Sequence, residues 1–300
     1  MIKNILFRAD SSSVIGTGHI IRDITFAKKY KKSNITFASR NLNGNINYKI
    51  KENHYKLEIL NSSKISELIK LIKKLSIDLL IIDNYSITYK HEKRIKRETN
   101  VQILSFDDTY EKHYCDILIN HNIGSSSKKY KDLVPKRCKL LCGKKHTILR
   151  DEFYKEKNIK YKKSKNKNIF IAMGGADHSN INIDILNTID SLKRTDIKIN
   201  IVTTDANQNL KRLKQYCKNK SWINLEINSN KIAKLMNKSD LCIISPSVTA
   251  NEVCYLNKTL LAIKTASNQI DIYKYLKTKN YPVLKEFNHD KLRDKLCKIL

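Results

Sequence analysis

The sequence has little glycine and proline, with 7 and 3 among 300 residues, whereas lysine, asparagine and isoleucine are abundant. Its longest apolar runs are far shorter than a membrane-spanning helix, and its mean hydropathy of -0.48 argues against an integral membrane protein. Arg8 and Asp10 stand too early for a signal peptide. Seven scattered cysteines form no Cys-x-x-Cys pair, and no spacing of His, Asp or Glu indicates a metal site. We therefore expect reduced thiols in a cytoplasmic protein that uses no metal or other cofactor.

Acidic residues are outnumbered two to one, since 58 lysines and arginines face 29 aspartates and glutamates, for a formal charge of +29. The excess consists mostly of lysines spread along the whole chain, and no RRM, KH, zinc-finger or helix-turn-helix pattern accompanies it. Spread lysines are typical of a solvated surface, which here would help to attract anionic substrates. A nucleic-acid-binding protein remains an alternative that rests on charge alone.

Apolar runs of strand length alternate with amphipathic helical segments over most of the chain. The alternation stops once, in a stretch of lysine and asparagine that contains little a core could bury. This pattern predicts an α/β fold with two doubly wound domains facing a central cleft. The predicted boundaries are 1–154 for the N-terminal domain, 155–168 for a basic linker and 169–300 for the C-terminal domain.

Near the N-terminus, an apolar strand and a polar loop lead into Gly16-Thr17-Gly18-His19, and an amphipathic helix follows directly. A glycine turn at a helix N-terminus favours an anion, and the helix dipole disfavours the charged form of a histidine there. His19 is thus a candidate neutral general base. The third glycine of the dinucleotide fingerprint and the Lys-Ser/Thr of a Walker loop are both missing. An ordinary βα turn with an incidental histidine is the alternative.

Three successive predicted strands, at 79–82, 101–106 and 117–120, each end in a polar cluster. Asp83-Asn84-Tyr85 follows the first strand, and Asp107-Asp108 follows the second. Because open α/β sheets bind ligands at the carboxyl ends of their strands, these clusters predict a lined cleft. The alternatives are a packed Tyr85 at a strand end, and a turn that Asp107 and Asp108 merely cap.

The second half of the chain repeats the pattern of polar groups at strand ends. Gly174-Gly175 follows a strand and precedes a helix, which favours phosphate binding over simple close packing. Ser245-Pro246-Ser247 introduces a helix that carries Asn251 and Glu252. Glu252 would accept hydrogen bonds from ribose hydroxyls or be a plain surface glutamate.

Taken together, these motifs resemble the family of UDP-2,4-diacetamido-2,4,6-trideoxy-β-L-altropyranose hydrolases, the nucleotide-sugar hydrolases of pseudaminic acid synthesis. The resemblance rests on the following segments in order: Phe7-Arg8-Ala9-Asp10, Ser11 to Ser13, Gly16-x-Gly18-His19, Arg22-Asp23, Leu80-Ile81-Ile82-Asp83-x-Tyr85, Leu104-Ser105-Phe106-Asp107-Asp108, Leu149-Arg150-x-Glu152-Phe153, Met173-Gly174-Gly175-x-Asp177, Asn251-Glu252 and Asn268-Gln269. One departure is Asn84, where the family pattern leads us to expect histidine.

The resemblance implies a GT-B-like fold, with UDP on the C-terminal domain and the sugar near the N-terminal loops. It implies attack of water at C1 with cleavage of the C–O bond, in a pathway that supplies flagellin glycosylation or another cell-surface glycan. His19 carries over as the catalytic base, with Tyr85 and Asn268 as sugar-site residues. The residues expected to bind substrate are Gly16, Gly18, Arg22, Asp83, Gly174, Gly175, Ser245, Ser247, Asn251, Glu252 and Gln269.

The expected partners are the UDP-sugar and water, with no membrane and no dedicated nucleic-acid partner, for a protein acting as a monomer. A GT-B glycosyltransferase that uses a UDP-amino sugar and a second acceptor is the nearest alternative. The remaining histidines, among them His113, His178 and His289, are expected on the surface.

Overall fold

A computed structural model describes residues 2–162 and 164–300, and the chain divides into two units, Met1–Ile148 and Leu149–Leu300. The division lies ahead of the boundary expected at residue 154. The reason is that the helix Asp151–Glu156, which overlaps the expected linker, packs on two helices of the second unit, Ile232–Lys238 and Val248–Leu256. The first strand of that unit begins at Lys167, just before the predicted end of the linker.

The first unit is built on a seven-stranded parallel sheet with the order β3-β2-β1-β4-β5-β6-β7. Its strands are β1 (Asn4–Ala9), β2 (Asn34–Arg40), β3 (Lys56–Leu60), β4 (Leu79–Asp83), β5 (Gln102–Phe106), β6 (Ile117–Asn120) and β7 (Lys139–Cys142). Its helices are α1 (Gly18–Ala27), α2 (Asn47–Glu52), α3 (Ile65–Lys74) and α4 (Tyr89–Thr99).

The second unit is built on a six-stranded parallel sheet with the order β10-β9-β8-β11-β12-β13. Its strands are β8 (Lys167–Ala172), β9 (Ile197–Thr203), β10 (Ile223–Ile227), β11 (Leu241–Ile244), β12 (Leu260–Ile263) and β13 (Val283–Leu284). Its helices are α5 (Asp151–Glu156), α6 (Asn182–Asp190), α7 (Leu210–Cys217), α8 (Ile232–Lys238), α9 (Val248–Leu256), α10 (Ile270–Thr278) and α11 (His289–Ile299).

The continuous apolar runs form the central strands because both faces of each sheet are covered. In β4, Leu79 and Ile81 pack in one core cluster with residues of α1, while Leu80 and Ile82 pack in a second cluster with residues of α3. The predicted helix at α3 presents its apolar stripe to that second cluster. Helix α11, which the sequence analysis leaves unassigned, packs on α6 and buries Leu292 and Leu296.

Each sheet has a topological switch point where its strand order reverses. In the first unit this point lies between β1 and β4, and in the second it lies between β8 and β11. Ligands of doubly wound sheets bind outside the carboxyl ends of the strands at such points. The segments that follow β1, β4, β8 and β11 contain most of the predicted site residues.

In the described part of the chain, every helix is too short or too polar to cross a membrane.

Candidate functional site

His19 is the second residue of α1, at the carboxyl edge of the first sheet, and Asp83 is the last residue of β4. Their side chains meet, with 2.6 Å between His19 Nδ1 and Asp83 Oδ1. Because an ionised carboxylate can only accept, Nδ1 carries the proton and donates it. In the neutral ring, the other nitrogen, Nε2, then has a free lone pair and is able to take a proton. The carboxylate thus selects the tautomer that a general base requires.

Arg22 fixes Asp83 from the next turn of α1. Its Nε and Nη2 donate to the two carboxylate oxygens at 2.8 and 2.5 Å, which is the bidentate geometry of a strong arginine pair. Asp83 is 2% exposed, and although burial opposes its charge, Arg22 and His19 hold the pKa of Asp83 far below its usual range. Arg22 was predicted to bind substrate, yet two of its nitrogens donate to Asp83 and its guanidinium lies over the Phe106 ring, 4.9 Å from the ring centroid.

His121 follows β6 and completes this cluster. Arg22 Nη1 donates to His121 Nε2 at 3.0 Å, so Nε2 carries no proton, and the backbone N–H of Ile148 lies 3.5 Å from His121 Nδ1. Burial and the charge of Arg22 lower the pKa of His121 to about 3. The polar ends of β4 and β6 therefore converge on one arginine, as the sequence predicts for a lined sheet edge.

Tyr85 lies in the loop after β4 with 53% of its surface exposed. Its ring contacts the His19 ring edge-on, with the centroids 5.1 Å apart, and its hydroxyl donates to Asp108 Oδ1 at 2.7 Å. Tyr85 is thus not a packed strand-end tyrosine. Burial of the hydroxyl and the charge of Asp108 raise the pKa of Tyr85.

Asn84, the departure from the family pattern, holds this loop in place. Its amide nitrogen donates to Asp10 Oδ2 at 3.1 Å, and its carbonyl oxygen accepts from the backbone and the hydroxyl of Ser86 at 2.9 and 2.6 Å. Asp10 is itself bound by the fork of Arg8 and by Arg40. Asparagine at this position therefore connects the loop that contains Tyr85 to the end of β1.

The glycines before α1 shape its approach to the sheet. Gly16 has a φ of +84°, which side chains rarely adopt, and it pairs with Ser12 through two backbone hydrogen bonds of 2.9 and 3.3 Å. Gly18 is the first residue of α1, and a Cβ placed on it would meet no atom within 4 Å. The N-terminal turn of the helix is therefore open to a ligand.

In the second unit, Glu252 lies in α9 and is 7% exposed, so it is not a plain surface glutamate. Arg150 donates to Glu252 Oε1 through Nη2 at 3.0 Å and Nε at 3.3 Å. Burial raises the pKa of Glu252, against the opposing effect of the Arg150 charge. Both bonds end on the same oxygen, which leaves Oε2 without a bond from Arg150. Arg150 also pairs with Glu152 at 2.7 Å.

The N-terminus of α9 follows β11 through Ser245, Pro246 and Ser247. Ser247 occupies the N-cap position, but its side chain does not bond to the first turn, so the early backbone N–H groups have no side-chain cap there. Ser245 is 2% exposed and Asn251 is 1% exposed. This is the predicted location for a diphosphate or another anion in the second unit.

The Gly174-Gly175 turn follows β8, but no helix begins there, because residues 176–181 separate it from α6. A Cβ on Gly175 would lie 2.9 Å from Thr204 Cγ2. The Gly175 carbonyl accepts hydrogen bonds from Thr203 Oγ1, Thr204 N and Thr204 Oγ1 at 2.9–3.1 Å. Gly175 therefore has the close-packing role that the sequence leaves open, and a role of this turn in binding phosphate stays a prediction.

Asn268 and Gln269 follow β12 in a single turn of 3-10 helix, Ser267–Gln269. Asn268 is exposed, as a sugar-site residue must be before its ligand binds. Gln269 differs, because its side-chain oxygen accepts from the backbone of Thr265 at 2.8 Å and of Ala266 at 3.2 Å. Gln269 was predicted to bind substrate, whereas its amide shapes the turn that presents Asn268.

No family model matches the chain. It is 43% identical over 279 residues to the UDP-2,4-diacetamido-2,4,6-trideoxy-β-L-altropyranose hydrolase of Campylobacter jejuni, covering 93% of this chain and 98% of that protein. This chain belongs to that hydrolase family. It is also 34% identical over 285 residues to the uncharacterized protein MJ1062 of Methanocaldococcus jannaschii, covering 89% of this chain and 57% of that longer protein.

Among solved structures, MurG of Acinetobacter baumannii matches 99% of this chain and 90% of its own, with a TM-score of 0.65 and 11% identity. The predicted GT-B-like α/β fold is thereby confirmed, as is the predicted membership of the hydrolase family.

Two polar residues of this hydrolase-family chain have positions that the sequence analysis did not foresee. His113 was expected on the surface, but it is 7% exposed, with Nδ1 2.8 Å from Glu92 Oε1 and Nε2 3.6 Å from Asp107 Oδ1. Although burial opposes its charge, these carboxylates raise the pKa of His113 to about 10. Glu92 lies three residues before the buried Ile95 on α4, which is the one sequence signal that it faces inward.

Asp23 is the second of these residues, and it is fully buried beside the Arg22–Asp83 pair. Neither of its oxygens accepts a hydrogen bond from a described residue. Burial and the negative charge of Asp83 raise the pKa of Asp23 well above its usual value. Burial thus favours the protonated form of Asp23, beside a carboxylate whose pKa is lowered.

Among the described residues, no three His, Cys, Asp or Glu side chains are grouped to hold a metal ion.

Proposed function

We propose that the chain hydrolyses UDP-2,4-diacetamido-2,4,6-trideoxy-β-L-altropyranose, releasing UDP and the free sugar by attack of water on C1. The observation that carries the proposal is the 2.6 Å hydrogen bond between His19 and Asp83, in a chain 43% identical to a hydrolase of this substrate. The 98% coverage of that relative supports transfer of the whole activity rather than of one domain.

In the proposed reaction, His19 Nε2 removes a proton from water as the water oxygen forms its bond to C1. The bond between C1 and the phosphate oxygen breaks, and its electron pair leaves with UDP. Asp83, which holds the other ring nitrogen, stabilises the imidazolium that forms. Because UDP is a good anionic leaving group, the reaction places little demand on a general acid.

We assign the leaving UDP to the second unit. The N-terminus of α9, which has no side-chain cap from Ser247, supports a role in holding diphosphate charge. Glu252, held by Arg150 through one oxygen, supports acceptance of ribose hydroxyl hydrogen bonds by the other. Exposed Tyr85 and Asn268 are assigned to the sugar, because a hydroxyl and an amide can each form hydrogen bonds with its polar groups.

The test is proton NMR of the purified protein with UDP-2,4-diacetamido-2,4,6-trideoxy-altrose, in parallel with UDP-GlcNAc. The proposal predicts loss of the altrose anomeric signal and appearance of free sugar and UDP. His19→Ala should keep UDP binding and lose turnover, while His289→Ala, which changes an exposed histidine of α11, should behave like the parent. Unchanged turnover by His19→Ala would remove His19 from the mechanism.

The same assay distinguishes a hydrolase from a glycosyltransferase of the same fold. A hydrolase releases UDP with water alone, at a rate that added sugar or lipid acceptors do not change. A rate that depends on an acceptor would contradict the proposal. A role in flagellin glycosylation remains a prediction of the family resemblance and depends on this activity. A cytoplasmic location remains a prediction of the scattered cysteines.

A further inference from the structure

The hydrogen bond between Tyr85 and Asp108 has no role in the mechanism above. The two residues lie in the loops that follow β4 and β5, neighbouring strands of the first sheet. Tyr85 is half exposed, yet its hydroxyl is fixed by a 2.7 Å bond to Asp108 Oδ1. The hydroxyl of an exposed tyrosine normally turns freely and can donate or accept a hydrogen bond. The bond to Asp108 fixes the direction of the Tyr85 proton.

The adjacent aspartates, Asp107 and Asp108, have different functions in the structure. Asp107 closes the turn, because its carboxylate accepts from the backbone of Thr109 and Tyr110 and from the hydroxyl of Tyr130. The capping role that the sequence leaves open for both residues thus belongs to Asp107. Asp108 reaches instead to the loop after β4.

The backbone next to Asp108 is anchored through Asp107. Asp107 is itself anchored by the turn and by His113, which also binds Glu92 on α4. The backbone that carries Asp108 is therefore attached both to β5 and to α4. Burial raises the pKa of Asp108, against the opposing effects of the Arg22 charge and of the hydrogen bond from Tyr85.

A phenol that donates its single proton to a carboxylate has only lone pairs left to offer. The Tyr85 oxygen then accepts hydrogen bonds and cannot donate another. Because the Tyr85 ring contacts the His19 ring, this acceptor lies beside the proposed base. A sugar bound there would be recognised through an N–H or O–H donor.

We propose that Asp108 is a positioning residue that fixes the Tyr85 hydroxyl as an acceptor for a donor of the sugar, with an acetamido N–H as the intended group. The inference rests on the proposed function, whose substrate contains two acetamido groups. It makes the site selective for sugars that present a hydrogen-bond donor next to the reacting carbon, and against analogues in which that donor is replaced by an ester oxygen.

The experiment compares UDP release by the parent, Asp108→Asn, Tyr85→Phe and the double variant. Asn is nearly the same size as Asp but can offer its amide N–H to the phenol, which releases the hydroxyl from its fixed direction. We expect kcat/KM to fall about 10- to 100-fold in each single variant, as for other losses of orientation. The kcat/KM of the double variant should be no lower than that of the less active single variant, because both changes remove the same interaction.

A matched control is Tyr161→Phe, which removes another tyrosine–carboxylate bond, from Tyr161 to Glu156 Oε1 at 2.6 Å, in the second unit. It should leave kcat/KM unchanged. A second readout needs no substrate: NMR with tyrosine labelled at Cζ, in which Tyr85→Phe identifies the Tyr85 signal. Asp108→Asn must shift that signal while the unfolding temperature stays close to that of the parent.

The outcomes distinguish failure of the positioning role of Asp108 from failure of the proposed function. If the parent releases UDP and Asp108→Asn does so equally well, the positioning role is wrong while the proposed function stands. An unshifted Tyr85 signal, or losses that simply multiply in the double variant, would also overturn it. If the parent releases UDP from no UDP-sugar, the proposed function fails, and the acceptor role in that reaction fails with it.

Discussion

Replacing Asp83 by Asn is the perturbation whose effect can be worked out most fully. The variant keeps the shape of the side chain but removes the charge that faces His19 at 2.6 Å and Arg22 at 2.5 and 2.8 Å. A unit charge about 4 Å from the imidazolium is worth about 4 kcal/mol at an effective dielectric constant near 20. We therefore expect kcat for UDP release to fall by about 10³-fold. Loss of the tautomer preference of His19 acts in the same direction.

The same change should destabilise the protein, because Arg22 is 10% exposed and would become a buried cation without its counter-ion. Breaking such a pair costs about 3–5 kcal/mol, which urea denaturation can measure. Asp23→Asn is a matched control, since Asp23 is buried next to Asp83 but accepts no hydrogen bond from a described residue. It should lose little stability or activity. A kcat of Asp83→Asn within threefold of the parent, or equal losses in both variants, would refute the reasoning.

Three further predictions concern other parts of the molecule. The pKa of His113 rises from 6.5 to about 10 on folding, so the charged form of His113 stabilises the protein fully below pH 6.5, less as the pH rises, and not at all above about pH 10. The stability difference between the parent and His113→Gln, measured by urea denaturation, should therefore shrink across that pH range. A constant difference would contradict a charged His113. Gly175→Ala should lower stability by about 1–3 kcal/mol, because the new Cβ meets Thr204 at 2.9 Å, and an unchanged unfolding temperature would show that the turn yields. Arg150→Met should weaken UDP binding by about tenfold in calorimetry, because Glu252 loses the bonds that orient it, whereas unaltered affinity would exclude Glu252 from the ribose site.

Local patterns were sufficient to predict the parts of the fold that position the site. The uninterrupted apolar run of β4 requires burial on both faces, and a parallel strand is the element that provides it. Once β1 and β4 are neighbours, the residues at their carboxyl ends must meet, which brings α1 and its His19 close to Asp83. The site of the first unit was predictable because it follows from strand order and strand ends.

Contacts that depend on three-dimensional packing were out of reach. His113 lies in a polar stretch without periodicity, and its partner Glu92 is 21 residues away on a helix that is otherwise highly charged. The one sequence signal that this glutamate faces inward is its spacing of three residues from Ile95. Because a helix follows Gly175 along the chain, the sequence favours phosphate binding there. Only the packing of Thr204 against Gly175 shows that there is no room for a side chain at this position.

Residues that bind substrate were also hard to distinguish, from the sequence, from residues that only position them. Arg22 and Gln269 both have side chains that could bind a ligand, but both form hydrogen bonds within the protein. Arg22 donates to Asp83, and Gln269 accepts from the backbone of Thr265. Sequence motifs include both kinds of residue, because a residue that positions a substrate-binding side chain needs as exact a geometry as the substrate-binding side chain itself. Only the hydrogen-bond partners distinguish them.

The central claim is that water attacks C1 and that UDP leaves with its own oxygen. The most direct measurement is phosphorus NMR of the UDP formed in water enriched in oxygen-18. The account predicts a β-phosphate that contains no oxygen-18, because the bond that breaks lies between C1 and the phosphate oxygen. A β-phosphate signal shifted by incorporated oxygen-18 would contradict it, because water would then have attacked phosphorus.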